Sequence, residues 1–189
     1  MKKLTLLLML ALSLQSCIFV VGAAAGAAAI AIVYDHRKVE KILKDQEIAN
    51  QAVEKLKSDS ALAKDAHINV TCFNSVILLT GEATTPELRS EAEDLIRSIP
   101  NVTRVYNQIT LKGPTSALSR TSDSWITTKI KTLMLANKDL KSSSIKVITE
   151  SGTVYLMGMV SHPQANIAVN IARQVDGVQK VIKIFQYTD

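Results

Sequence analysis

The chain has 189 residues with a formal charge of +5, and 47% of them are hydrophobic. This apolar content excludes a disordered protein, and two cysteines, Cys17 and Cys72, are too few for a disulfide scaffold. The histidines at positions 36, 67 and 162 form no Cys/His cluster, which argues against a zinc site. Residues 1–45 carry +6 and −3, residues 46–112 carry +7 and −9, and residues 113–189 carry +9 and −5. The excess positive charge therefore lies at the two ends of the chain.

The N-terminus has the layout of a bacterial secretory signal. Two lysines precede an uncharged apolar run from Leu4 to Leu14, which is too short to span a bilayer. Leu14-Gln15-Ser16-Cys17 then resembles a lipobox, after which residues 1–16 are removed and Cys17 receives a diacylglycerol and an N-acyl chain. Gln15 departs from the small residue usual at its position. The alternative interpretation is a plain cleaved signal with a chance cysteine.

Acyl chains on Cys17 are expected to hold the protein on a membrane, since each buried methylene contributes about 0.8 kcal/mol. Ile18 rather than Asp follows Cys17, and among Gram-negative lipoproteins this resembles the outer-membrane destination, facing the periplasm. Residues 17–45 are then an acylated, Gly/Ala-rich apolar segment. An alternative interpretation joins Ile18–Val33 to the signal core as a transmembrane helix, and an unprocessed Met1 in the intact mass would favour it.

An internal repeat sets the organisation of the remaining chain. Ile68-Asn69-Val70 matches Ile145-Lys146-Val147, and Ile77-Leu78-Leu79-Thr80-Gly81 matches Val154-Tyr155-Leu156-Met157-Gly158, both 77 positions apart (145−68 and 158−81). Toward the end of each copy, Asn101-Val102 matches Gly177-Val178 at an offset of 76 (177−101). The repeat divides the chain into a first unit, a turn-rich linker and a second unit, over residues 46–112, 113–120 and 121–189.

Each copy has the pattern helix, strand, strand, helix, strand. In the second copy, Ser122 or Asp123 can cap a helix from about Ser124 to Asn137 that buries Ile126, Ile130 and Leu133. The corresponding first-copy stripe is Ala49, Val53 and Leu56, and the predicted hairpins turn at Asn74-Ser75 and Ser151-Gly152. The second helices are expected to bury Leu88, Ala92, Leu95 and Ile96 in one copy and Ile167, Ala168, Ile171, Ala172 and Val175 in the other.

This pattern predicts an α+β fold, two tandem αββαβ sandwiches in which two helices cover one face of a three-stranded mixed sheet. Units of this size bury only about 60% of their unfolded surface and are marginal alone. We therefore expect contact between the copies to add stability.

The repeated unit resembles the BON domain, whose hallmark is a strand reading Val-x-Leu-x-Gly before the second helix. Here it reads Ile77-x-Leu79-x-Gly81 and Val154-x-Leu156-x-Gly158. A lipobox, a Gly/Ala-rich start and two such units together resemble the dual-BON outer-membrane lipoproteins. The resemblance implies a phospholipid-binding module that uses the first helix of its second domain, supports outer-membrane integrity and localises to the division site. Gly81 and Gly158 are predicted to be structural, because a glycine ending a strand marks a bend or a close backbone approach.

The first helix of the second copy has a distinctive outward face. At about 100° per residue, this face carries Trp125, Thr128, Lys131, Thr132 and Leu135, with Lys138 close by. Such a face fits a membrane interface, where lysines meet anionic phospholipid, phosphatidylglycerol or cardiolipin. The alternative places Trp125 in an interdomain core. Counterparts of Trp125, Lys131, Leu135 and Lys138 at the 77-residue offset are Ile48, Glu54, Ser58 and Ala61, so we assign lipid binding to the second copy.

Other functional classes find little support in the sequence. No catalytic arrangement or Gly-rich phosphate loop occurs, so we expect no enzyme and no cofactor beyond the acyl chains. Cys72 is predicted to be a small buried residue, while His67 and His162 lie beside element boundaries. Export and 4% aromatic residues disfavour nucleic-acid binding.

Two further functional hypotheses stay open. The first is an adaptor for envelope proteins, such as the outer-membrane barrel assembly machinery, with the acidic first domain as its contact surface. The second is a structural tether without a ligand. Deletion of residues 113–189 with the anchor retained would change little if the protein were only a tether.

Overall fold

The computed structural model describes residues 39–113 and 117–189, and side-chain contacts from residue 119 onward in the second range. The predicted signal 1–16, the acylation site Cys17 and the apolar segment up to residue 38 lie outside these ranges. The stretch Arg37–Asp189 forms one compact unit, and it contains both repeats.

The first domain consists of seven elements within the described residues. They are α1 (Val39–Ser58), α2 (Ser60–Asp65), β1 (Ala66–Phe73), β2 (Val76–Ala83), α3 (Pro86–Arg97), β3 (Arg104–Asn107) and β4 (Thr110–Leu111). Strand β2 pairs antiparallel with β1 and parallel with both β3 and β4. The last two are segments of one edge strand, interrupted where the Ile109 amide donates to the Asn107 side chain at 3.2 Å.

The second domain repeats this plan with an unbroken last strand. Its elements are α4 (Ala117–Ala136), a short 3-10 turn (Ser142–Ser144), β5 (Ile145–Glu150), β6 (Thr153–Val160), α5 (His162–Arg173) and β7 (Lys180–Tyr187). Strand β6 pairs antiparallel with β5 and parallel with β7. The predicted α+β architecture, two tandem units with mixed sheets, is therefore confirmed. The short helix α2 is an addition that the sequence pattern did not indicate.

The first helix of each domain buries a different stripe from the predicted one. In α4 the buried apolar residues are Ile126, Ile130 and Met134, whereas Leu133 is 38% exposed, so its predicted burial is wrong. In α1 the row is Ile48, Ala52 and Leu56 rather than Ala49, Val53 and Leu56. Both rows are spaced by four residues, because the sheet contacts a single i, i+4 ridge of each helix.

The start of α4 also differs from expectation. Helix α4 begins at Ala117 rather than near Ser124, so its first turns occupy part of the predicted linker 113–120. Between Pro114 and the end of α4 at Ala136, the sequence contains no glycine or proline that would prevent this. The predicted cap at Ser122 or Asp123 is wrong, since both residues lie inside α4.

Each sheet has one helix-covered face with its own core. The two helix-side cores centre on Ile77 and Leu79 in the first domain and on Leu156 and Val154 in the second, all fully buried. Both hairpin turns lie in the left-handed region, with φ of 50° and 63° at Asn74-Ser75 and 48° and 72° at Ser151-Gly152. These values fit the tight turns that favour asparagine and glycine.

The opposite faces of the two sheets contribute to one interdomain cluster. Its buried members are Phe73, Val76 and Leu78 from the first domain and Tyr155, Met157 and Ile184 from the second. Asn69 donates to the Glu150 carboxylate at 3.0 Å, Asn74 donates to the Gln186 side-chain oxygen, and the Lys146 ammonium lies 3.4 Å from the Cys72 carbonyl. The expected contact between the copies is therefore present, and it leaves the outward face of α4 uncovered.

Candidate functional site

The outward face of α4 is exposed and partly apolar. Trp125 is 53% exposed and Leu135 is 71% exposed, so the alternative that placed Trp125 in the interdomain core is wrong. The other four predicted site residues are also exposed, namely Thr128, Lys131 and Thr132 on α4 and Lys138 just after it. We call these six residues the α4 face.

The threonines of the α4 face have their hydroxyl groups already satisfied. The Oγ1 of Thr132 donates to the Thr128 carbonyl, and that of Thr128 donates to the Ser124 carbonyl, both at 2.9 Å. Ser124 continues the series by donating to the Arg120 carbonyl at 3.0 Å. Because these donors are bonded within the helix, moving this face out of water leaves no hydroxyl hydrogen without an acceptor.

The exposed charge on helix α4 is positive. Arg120, Lys129 and Lys131 on α4 and Lys138 beyond it are all exposed. The sole acidic residue of α4 is Asp123, and it is only 6% exposed. An apolar strip flanked by cations therefore faces solvent without a neighbouring acidic side chain on the same helix, which suits an anionic surface.

Helix α4 is fixed to its sheet by polar contacts as well as by its core. The Asp123 carboxylate accepts from the backbone N–H groups of Ser151 and Gly152, both at 2.8 Å. Asp45 does the same on α1, accepting from Asn74 at 2.7 Å and Ser75 at 2.9 Å. These two aspartates tie the first helix of each domain to its hairpin turn. Thr127 adds a 2.7 Å hydrogen bond to Thr149.

Sequence reasoning missed this role of the aspartates, although a signal was present. Each stands three residues before the first buried isoleucine of its helix, Ile48 or Ile126. The helices thus align at an offset of 78 (123−45), while the hairpins align at 77. The predicted pairing of Trp125 with Ile48 is therefore wrong, since Ile48 is 5% exposed and faces the core.

When the first helices of the two domains are aligned at the offset of 78, the positions on α1 that correspond to the α4 face carry different side chains. Glu47 stands at the position of Trp125, Lys57 at that of Leu135 and Glu54 at that of Thr132. All three side chains are exposed. The surface of α1 is therefore polar where that of α4 is apolar, and it carries acids where α4 carries none.

Gly81 and Gly158 are sites of close backbone approach. A Cβ on Gly81 would lie 2.0 Å from the His67 carbonyl oxygen, and φ there is +109°. A Cβ on Gly158 would lie 2.5 Å from the Ser144 carbonyl oxygen. Contacts this short with backbone atoms cannot be relieved by a side-chain movement. Both glycines therefore have a steric reason to lack a side chain, independent of any ligand.

Cys72 is shielded from solvent, and its thiol is held protonated. It is 4% exposed, and its Sγ donates to the Asp45 carboxylate at 3.5 Å. Burial, and secondarily the negative charge of Asp45, raise the pKa of this thiol to about 12. The predicted burial of Cys72 is confirmed, and the high pKa makes it a poor nucleophile at neutral pH.

The two described histidines are both exposed. His162 stacks on the Tyr187 ring at 3.9 Å and contacts the Asp189 carboxylate at 2.8 Å, and this contact lowers the pKa of Asp189. Across residues 39–113 and 117–189, no three histidine, cysteine or acidic side chains are grouped to hold a metal ion. None of the helices in these ranges is long and apolar enough to cross a membrane.

The repeated fold corresponds to a known protein family. The sequence pattern of the BON domain matches residues 44–113 and 122–189. The chain belongs to the BON domain family. Its two BON domains coincide with the two structural repeats, and the α4 face lies in the second.

Several curated relatives match the chain over much of its length. The outer membrane lipoprotein DolP of Haemophilus influenzae is 32% identical over 189 residues, covering 100% of this chain and 97% of the relative. A 21 kDa hemolysin of Actinobacillus pleuropneumoniae is 38% identical over 153 residues, or 81% of this chain and 79% of the relative. The osmotically-inducible protein Y of Escherichia coli is 31% identical over 121 residues, or 62% and 60%.

Proposed function

We propose that this BON protein is an outer-membrane lipoprotein whose second domain docks on anionic phospholipid through the α4 face. In this proposal, acyl chains on Cys17 anchor it on the periplasmic side of the membrane. The full-length similarity to a protein named as an outer membrane lipoprotein supports this location. Its role is to bind and support the membrane, at the division site in dividing cells, rather than to catalyse a reaction.

The observation that carries this proposal is the exposure of Trp125 and Leu135 on a helix without an exposed acid. Large apolar side chains in water cost free energy that an interfacial location recovers. Lysines beside them each contribute about 1 kcal/mol near an anionic surface. The hydroxyl groups of Thr128 and Thr132 already donate to backbone carbonyls and need no acceptor from water. Every part of the α4 face therefore favours transfer to a lipid interface.

The α4 face can be tested by co-sedimentation of residues 37–189 with vesicles. Phosphatidylglycerol or cardiolipin in phosphatidylcholine should recover the protein, and phosphatidylcholine alone should not. Trp125→Glu should weaken binding by roughly tenfold or more, because it replaces an apolar contact with a repelled charge. Trp125 is the single tryptophan, so its emission should also shift to the blue on anionic vesicles.

Leu43→Glu is the matched control for this test. Leu43 is 61% exposed on α1, so this variant also replaces an exposed apolar side chain by Glu, on the first helix of the other domain. It should leave vesicle binding unchanged. Equal recovery of the wild type and Trp125→Glu would overturn the assignment of the α4 face.

A second candidate function is an adaptor for envelope proteins such as the outer-membrane barrel assembly machinery. The exposed acids Glu47 and Glu54 on α1 favour it, since they offer a negative surface distinct from the α4 face. Crosslinking in membranes separates the two roles. An adaptor should give a discrete protein partner that persists in Trp125→Glu and is lost when Glu47 and Glu54 are both replaced by lysine.

A further inference from the structure

The first domain contains a buried carboxylate without a partner. Glu82 on β2 is 2% exposed, and neither of its carboxylate oxygens has a hydrogen-bond partner. A carboxylate removed from water costs stability unless it is paired or hydrogen-bonded. The second domain avoids this cost, since at the equivalent position, 77 residues later, it has Met159.

Glu82 lines a cavity of about 250 Å³ at the end of the first hairpin. The other lining residues are Lys64, Asp65, Ala66, His67, Thr84 and Lys112. His67 is the register partner of Glu82 across β1 and β2, so the two side chains lie on the same face of the sheet. This volume is large enough for a small polar ligand.

The charges of the cavity are separated. The acid Glu82 is buried, whereas the cations Lys64 and Lys112 are exposed, and Lys112 lies close enough to Ser151 to donate to its hydroxyl at 3.0 Å. Asp65 and His67 are exposed beside them. A ligand that matches this order has a cation at its inner end and an anion at its outer end. A primary ammonium satisfies Glu82 with N–H donors, and a phosphate fits two lysines.

We propose that this cavity is a binding site for a small zwitterion that carries a primary ammonium beside a phosphate, with Glu82 as the anchor of the ammonium. Free ethanolamine phosphate and the head group of phosphatidylethanolamine share this chemistry. The rim lysines have long flexible stems, so they can move aside as the ligand enters and then contact its phosphate. The site lies in the first domain and does not depend on lipid docking by the α4 face.

The site can be tested with the full chain in neutral detergent, by circular dichroism melting with added ethanolamine phosphate. At a tenfold excess over Kd, the melting temperature should rise by about 3 °C or more. Choline phosphate, which lacks N–H donors, and glycerol phosphate, which lacks the amine, should give a smaller shift or none. Equal shifts with all three compounds would overturn the proposal, as would no shift with ethanolamine phosphate.

Substitutions at Glu82 separate binding from folding. Glu82→Met installs the residue that the second domain already has at this position, and Glu82→Gln keeps the shape while removing the charge. Both should melt at or above the wild-type temperature without ligand and should lose the ligand-dependent rise. Glu91→Met, at an exposed position on α3, is the control and should keep it. A rise retained in both Glu82 variants would contradict the assignment. So would a large drop in the melting temperature of ligand-free Glu82→Met, which would mean that a lysine of the chain pairs with Glu82 in solution.

Reconstituted vesicles identify the source of the ligand. In the Trp125→Glu background, the full chain is placed in phosphatidylcholine with or without phosphatidylethanolamine. If the lipid head group occupies the site, added ethanolamine phosphate should raise the melting temperature only in phosphatidylcholine alone. If the natural ligand is a soluble molecule, the rise should be the same in both. Failure of the α4 face in vesicle binding would leave these outcomes unaffected.

Discussion

Asp45 and Asp123 perform the same structural task in the two domains. Each buried carboxylate accepts two backbone N–H groups from a hairpin turn at 2.7 to 2.9 Å. Hydrogen bonds to a charged group contribute about 1.5–3 kcal/mol each, and the loss of the acceptor leaves buried donors without a partner. These aspartates therefore determine how the first helix of each domain sits on its sheet.

Asp123→Ala is expected to lower the free energy of unfolding by about 3 kcal/mol, because the Ser151 and Gly152 amides lose their acceptor. Urea denaturation of residues 37–189 measures this. Asp176→Ala is the control, since Asp176 is exposed in the same domain and its removal should change stability by less than about 0.5 kcal/mol. A loss in Asp123→Ala no larger than in the control would show that the turn amides find other acceptors.

The buried thiol of Cys72 is expected to make the free energy of unfolding vary with pH in the alkaline range. Its pKa is about 12 in the folded state and 9.0 as the ordinary value. Above pH 9 the unfolded chain therefore releases a proton that the folded chain keeps, so the free energy of unfolding falls as pH rises, by up to about 1.4 kcal/mol per pH unit. Between pH 9 and 10, Cys72→Ala should have a shallower slope than the wild type. Tyr155, whose pKa burial raises to about 12, should add a similar fall only above pH 10. Parallel slopes between pH 9 and 10 would contradict this account.

At the scale of elements, sequence patterns predicted some helices and strands better than others. The hairpins followed from alternation and from Asn74-Ser75 and Ser151-Gly152 at their turns, and α3 buries Leu88, Ala92 and Ile96 as predicted. The predicted buried stripe of α1 was displaced by one residue along the helix. A periodicity based only on hydrophobic side chains does not include a buried aspartate. Asp45 opens that stripe, and its burial depends on a turn nearly thirty residues away, which local spacing does not reveal.

The exposed face of α4 was predictable in part. Trp125, Lys131 and Leu135 lie outward as their helical angles indicated. The angles alone left open whether another domain covers this face. That question depends on how the sheets meet, through Phe73, Leu78 and Tyr155. Glu82 gave no signal at all, because a lone acid in a strand looks like a solvent-facing residue in the sequence.

The lysines of the α4 face are expected to contribute to the binding of anionic lipid by this helix. Replacing both Lys131 and Lys138 with Gln should weaken binding to phosphatidylglycerol vesicles by roughly thirtyfold, since each contributes about 1 kcal/mol. The effect should shrink as salt rises, because exposed charges are screened. Lys55→Gln with Lys57→Gln removes two exposed lysines from α1 and is the matched control, with binding expected unchanged. Equal losses in the two double variants would indicate a response to net charge rather than to α4.

At the scale of the whole molecule, the described residues form two small cores and a third that neither domain completes alone. The helix-side cores belong to single domains, whereas the interdomain cluster draws three residues from each. Without the second domain, Phe73, Val76 and Leu78 would lose their partners from the second sheet. The cluster thus offsets the limited burial of a domain of this size and holds the two BON domains as one compact unit.

A double-mutant cycle across this cluster tests whether the domains depend on each other. Leu78 is 0% exposed in the first domain and Met157 is 1% exposed in the second, and both belong to the interdomain cluster. Each change to Ala should cost about 2–5 kcal/mol in urea denaturation of residues 37–189. Because the two side chains share one cluster, the double variant should depart from additivity by about 0.5–3 kcal/mol.

Ile96→Ala with Ile130→Ala is the control pair, since each lies in the helix-side core of its own domain, and it should be additive within about 0.5 kcal/mol. Additivity in both pairs would mean that the sheets touch without stabilising each other, and the domains would then be independent folding units joined by a linker.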